Sequence, residues 1–178
     1  MAILEILTAP HPVLAAPARD VTDDEFGASL AQLLSDMAET MYAAPGVGLA
    51  APQIGDGRRI LVMDSADRDN RGKDRLFRMV NPKIVERSQE TITWSETCLS
   101  VPDLEVDVQR TKRIRVQWRD EAGNVQETSF EDYEAVIFQH EHDHLMGTVL
   151  LDRVSSFRRS RYMKKLKKAQ REFEASAR

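Results

Sequence analysis

Apolar positions along this chain fall into two rhythms. After Thr22 and Glu25, which have capping-box spacing, Phe26, Leu30, Leu33, Met37 and Met41 recur at helical intervals. That spacing predicts an amphipathic helix ending near residues 43–44, because Pro45 disfavours helix in the residue before it. The period then shortens. "RILVM" (59–63) is a continuous apolar run suited to a buried strand, whereas "LEVDV" (104–108) and "RIRVQW" (113–118) alternate as half-buried strands do. "DEAGN" (120–124) is turn chemistry leading into "VQETSF", so residues 113–130 are expected to form a hairpin. The helical period returns over 131–146, where Tyr133, Val136, Ile137, His140 and His144 share one stripe and Gly147 stands just past the end. A last helix, at about 156–174, places Met163, Leu166 and Phe173 on one side and Lys/Arg on the others. The pattern predicts an α+β fold: antiparallel strands around a central helix, with further helices towards the N- and C-terminal ends.

Composition narrows this. The 178 residues are 42 % apolar and 30 % charged, without internal repeats or a low-complexity linker, and the expectation is a single domain over 1–178. No apolar run approaches the roughly 20 residues of a membrane span, and the start lacks a secretory pattern, so a cytoplasmic protein with no membrane association is expected. Cys98 is the only cysteine, which excludes an internal disulfide. The net charge of −4 is unevenly spread. Residues 157–178 hold nine Lys/Arg against two Glu, net +7, while sixteen basic against 27 acidic groups elsewhere give −11.

Chemistry gathers in "HEHDH" (140–144), which takes three of the four histidines. On a helix His140 and His144 lie about 40° apart in projection, so both imidazoles can reach one point. With Glu141 they form the H-E-x-x-H arrangement, two metal ligands and a general base; His142 points elsewhere and is read as a non-ligand. The apolar entry "YEAVIF" suits the core, which places the site inside rather than on a solvated face. A catalytic divalent site usually adds a third protein ligand and leaves a position for water. Cys98, in "SETCLSVPD", is either that ligand or a small buried hydrophobe. "GVGLAAPQIG" (46–55) supplies little core, but its small residues let backbone approach a ligand, and Gln53 can donate to a developing oxyanion.

"GVGLAAPQIG", "ETCLS" and "HEHDH", in this order, resemble the three signature motifs of peptide deformylases. The likeness extends to "ILTAPHPVL" near the start and "HLMGTVLLDRVSS" after the helix, nearly the whole chain. The resemblance implies hydrolysis of the formyl group from the N-terminal formyl-methionine of new polypeptides. It implies one divalent metal on Cys98, His140 and His144, most often Fe(II), with Zn(II), Ni(II) or Co(II) also accepted. It further implies Glu141 as the acid/base, and Gln53 with the Leu99 N–H as oxyanion donors. Val47, Gly48, Trp94, Thr97, Val136 and Ile137 match positions along the substrate, the methionine pocket among them. In deformylases of similar length a basic C-terminal helix docks on the ribosome, and this chain's last helix resembles it in position and charge; removing residues 160–178 is expected to weaken ribosome binding and leave hydrolysis of free formyl peptides largely intact.

The chain also departs from that pattern. Thr97 replaces the usual glycine, Trp94 is larger than the usual aliphatic, Leu104 and Glu105 stand for basic or amide residues, and Ala15 for an arginine. Thr97 is expected either to strain a positive-φ backbone or to narrow the site entrance. Two other readings compete: a deformylase-like paralogue acting on another formamide or acyl-amide, and a non-catalytic metal- or ribosome-binding protein. Intact Glu141 and Gln53 speak against the latter, since metal storage needs neither.

Overall fold

The computed structural model describes residues 2–66, 69, 72 and 75–176, with side chains of the final helix described to residue 168, so Phe173 lies outside them. Ten regular elements follow in order: α1 (Ala28–Ala43), β1 (Gly48–Ala50), β2 (Ile60–Asp64), β3 (Leu76–Arg87), β4 (Thr91–Cys98), β5 (Val101–Thr111), β6 (Arg113–Arg119), β7 (Val125–Glu131), α2 (Asp132–Leu145) and α3 (Ser156–Ser176). A five-stranded sheet runs β1-β2-β3-β6-β7, a separate pair joins β4 to β5, and every pairing is antiparallel. This is the expected α+β arrangement.

β2 explains how the layers are held. All five of its residues are buried, because alternate side chains serve opposite faces of the sheet. Ile60 and Val62 join the α1 residues Leu30, Leu34, Met37 and Met41. Leu61 and Met63 join Ile137, Phe138 and Leu145 of α2. A third cluster lies between the β4–β5 pair and α3, and includes Cys98, Val101, Leu104, Val106 and Tyr162.

Local details differ from expectation. The Thr22–Glu25 capping box forms, but it closes a short 3-10 turn at Asp23–Glu25. Gly27, at φ 152°, then redirects the chain before α1 starts at Ala28, and the buried stripe uses Leu34, leaving Leu33 half-buried. β3 and β4 have no clean period in the sequence. Asn81, at φ 52°, and two register shifts interrupt β3, and β4 is exposed on most of its length. The 113–130 hairpin forms as expected, turning through Gly123 at φ 87°.

Candidate metal centre

α2 lies with its apolar face on the sheet and its histidines turned towards the β4–β5 pair. One turn separates His140 from His144, so their rings sit edge to face with centroids 5.2 Å apart. Cys98, where β4 ends, brings its Sγ to 3.3 Å from His144 Nε2. The cysteine sulfur and one nitrogen of each histidine lie within 4.8 Å of one another. Cys98 is therefore both a member of the third apolar cluster and an edge of this polar one. His142 stays outside, stacked on Phe138 at 5.9 Å.

What orients these groups was not legible in the motifs. Glu96, two residues before Cys98, accepts at 2.8 Å from His140 Nδ1, which turns the other ring nitrogen towards the cluster. Arg110 of β5 grips both oxygens of Glu96 at 2.7 and 2.8 Å and reaches Asp143 of α2 at 2.7 Å. Arg153 holds the other side of Asp143. Burial opposes charge on Glu96, yet the bonds from Arg110 and His140 keep its carboxyl below the usual range. Glu96 and Arg110 are each 5 % exposed, so the pair is a buried clamp between the two ligand-bearing elements. The one signal available was the strand period, which places residue 96 on the same side as residue 98.

The donor set fits a divalent cation. Burial opposes charge on His140 too, but hydrogen bonds to Cys98 and Glu96 push its pKa well above the ordinary value, so the surroundings draw positive charge to that point. Burial drives His144 the other way, well below the ordinary value, which favours the neutral imidazole that a metal requires.

Glu141 faces β1. Its side chain fills the space a Cβ would take on Gly48, 2.3 Å from Oε1, and its Oε2 is buried with no hydrogen-bond partner among the described residues. Burial pushes the carboxyl up to about 7, with His140 opposing. Gln53 lies in a 3-10 turn, 1 % exposed. Its Oε1 accepts the Ala50 N–H at 2.8 Å, and this turns Nε2 to Ser100 Oγ at 3.2 Å and Cys98 Sγ at 3.9 Å.

A cleft of about 460 Å3 opens on this cluster. Gln53, Cys98, His140 and Glu141 line it, with Val47 and Gly48 of the glycine-rich segment. Trp94, Val136 and Ile137 contribute apolar surface, and Trp94 stacks on Tyr133 at 5.1 Å. The exposed Thr97 and half-buried Leu99 complete the predicted set, while His144 lies beneath, 1 % exposed. Thr97 is not strained: positive φ at non-glycine positions occurs among the described residues at Pro45, Asn81, Asp103 and Asp132. Its effect is the side chain added to the cleft. Leu104 is buried in the third cluster and does not line it.

Comparison with known proteins gives this geometry a context. Residues 3–160 match the family model described as polypeptide deformylase. Peptide deformylase of Desulfotalea psychrophila is 45 % identical over 168 residues, covering 94 % of this chain and 97 % of the relative. That of Phenylobacterium zucineum is 44 % identical over 170 residues, with the same coverage. Among solved structures, peptide deformylase of Ehrlichia chaffeensis in complex with actinonin superposes with a TM-score of 0.86 at 39 % identity, covering 96 % of this chain and 99 % of that one. The Legionella pneumophila enzyme gives 0.85 at 38 % identity, with 96 % of each chain covered. On the family match, the full-length relatives and the cysteine and two histidines gathered in the core, this chain belongs to the polypeptide deformylase family.

Proposed function

We propose that this chain hydrolyses the formamide of N-formyl-methionyl polypeptides, releasing formate and a free amine, and that 1–178 acts as one catalytic domain in the cytoplasm. The observation that carries the reading is Glu141, a buried carboxylate whose Oε2 has no partner among the described residues and which lines the cleft beside the ligand cluster. Cys98, His140 and His144 would hold a divalent metal, Fe(II) by preference and Zn(II), Ni(II) or Co(II) otherwise, which would supply Lewis-acid chemistry for a water and for the formyl oxygen. Glu141 takes a proton from the attacking water as the oxygen bonds to the formyl carbon. It returns that proton to the nitrogen as the C–N bond breaks. A carboxyl pushed up to about 7 suits both directions near neutral pH. Gln53 Nε2 and the Leu99 N–H donate to the oxyanion formed on the substrate.

Substrate contacts follow the cleft. The backbone of Val47 and Gly48 runs along the extended peptide, Trp94, Val136 and Ile137 receive the methionine side chain, and Thr97 borders the entrance. α3 is proposed to dock on the ribosome. Tyr162, Met163 and Leu166 face the protein, while Arg161, Lys164 and Lys167 are exposed. Among the described residues no helix is long and apolar enough to cross a membrane.

Anaerobic purification with metal analysis, then formate release from a formyl-Met peptide and from unrelated formamides, tests the function. Glu141→Gln should keep the metal and lose about 10²–10⁴-fold in turnover. Near wild-type turnover in that variant would remove Glu141 from the reaction. Ribosome docking by phosphate contacts should weaken steeply with salt in co-sedimentation, because counterions are released.

A further inference from the structure

The basic charge of α3 lies on its outer face, while its inner face packs in the apolar cluster that contains Cys98. Cys98 lies at a tight reversal, where β4 ends at Cys98 and β5 resumes at Val101, with a register shift between Thr97 and Cys98. The two-residue reversal is closed by the Cys98–Val101 pairing, and contacts from outside the hairpin also reach it. Two come from the N-terminal half: the Ala9 N–H donates to Ser100 O at 2.8 Å, and Gln53 Nε2 to Ser100 Oγ at 3.2 Å. Val149, Leu150 and Leu151, just before α3, pack in the same cluster, and α3 adds three polar contacts. Tyr162 donates its hydroxyl to Pro102 O at 2.8 Å, Arg158 donates to Glu105 O, and Lys165 lies 3.4 Å from Asp103. Asp103 holds φ 60°, a conformation that persists only where neighbours over-determine it. The Tyr162 ring, 7 % exposed, packs in the same cluster as Cys98, Val101 and Leu104.

We propose that Tyr162 is a positioning residue for Cys98: through Pro102 and the shared apolar cluster it seats the Cys98–Leu104 reversal, so that docking of α3 and retention of the metal are coupled. Lys165–Asp103 is exposed and contributes little. From the α3 side, the buried ring and hydroxyl bond of Tyr162 are the contacts nearest the reversal. Removing residues 160–178 deletes Tyr162 as well as the basic face, so on this proposal the truncated protein should also lose metal faster.

The chain has a single cysteine, so a thiol label reads this site alone. Full-length, metal-loaded protein is challenged with excess chelator and a chromogenic thiol reagent, and metal release and labelling are followed as separate signals. Tyr162→Phe should speed both about 3- to 10-fold, the range set by loss of one hydrogen bond. Tyr162→Leu, which also loses the ring, should exceed it. Lys164→Ala, exposed on the same helix, should match wild type. Ile114→Val, a core change in a different cluster, controls for global stability at a matched fall in Tm. Unchanged rates in Tyr162→Phe overturn the proposal, as does equal acceleration by Ile114→Val. The proposal rests on Cys98 as a metal ligand for the metal signal only. If labelling accelerates while metal release from the chain does not depend on Cys98, the ligand assignment fails and the seating role stands.

Discussion

Gly48→Ala puts the Glu141 assignment under the sharpest strain. A Cβ at position 48 would lie 2.3 Å from Glu141 Oε1 and 2.7 Å from both Cδ and Cγ, where ordinary contact begins at 3.4 Å. The carboxylate must therefore move by roughly 1 Å, since the clash involves its stem as well as its tip. The backbone does not resist the new residue, because Gly48 has no positive φ and pairs regularly with Met63. Nor does β1 yield easily, with Leu49 and Ala50 fully buried beside it. The displacement thus falls on Glu141 rather than on the fold. A misplacement of about 1 Å in a reacting group costs roughly 10²-fold, so kcat for formate release should fall by about that factor with KM little changed. Metal content should stay at wild type, because Cys98, His140 and His144 are not touched. Gly57→Ala, where a Cβ meets nothing within 4 Å, is the matched control. A Gly48→Ala enzyme with kcat within twofold of wild type, or one that loses its metal, would refute the reasoning.

Three further outcomes follow from the same geometry. Glu96→Gln should weaken metal binding about 10–100-fold in a competition assay, since it disturbs the bond that orients His140; the same change leaves Arg110 with Asp143 as its charged partner, and chemical denaturation should register a loss below the roughly 3–5 kcal/mol of an uncompensated buried charge. Cys98→Ala should abolish stoichiometric metal on elemental analysis, and full occupancy would disprove the ligand set. Thr97→Gly should broaden tolerance for the first two substrate residues in a peptide panel, with metal content unchanged; an identical profile would show the added side chain to be neutral.

Elements whose side chains obey one clean period could be read from the chain alone. α2 is the clearest case, since one stripe carries both the apolar contacts of Val136 and Ile137 and the pair His140 and His144. β2 and the β6–β7 hairpin were equally legible, the first as an unbroken apolar run and the second as alternation closed by turn residues. The motifs named the donors and the family likeness named the chemistry. Features that depend on contacts distant in sequence became visible only in the folded molecule. Glu96 reads as one exposed-strand carboxylate among many, and only the approach of Arg110 and His140 makes it a buried clamp. β3 and β4 stayed hidden because bulges and two-sided exposure erase the period that marks a strand. The capping box at Thr22 is a local signal that formed locally, and the start of α1 was set instead by the turn at Gly27. α3 shows the same division. Its charge was plain from composition, but that its inner face packs on the segment following the cysteine could emerge only once residues 98–104 and 158–166 were folded against each other.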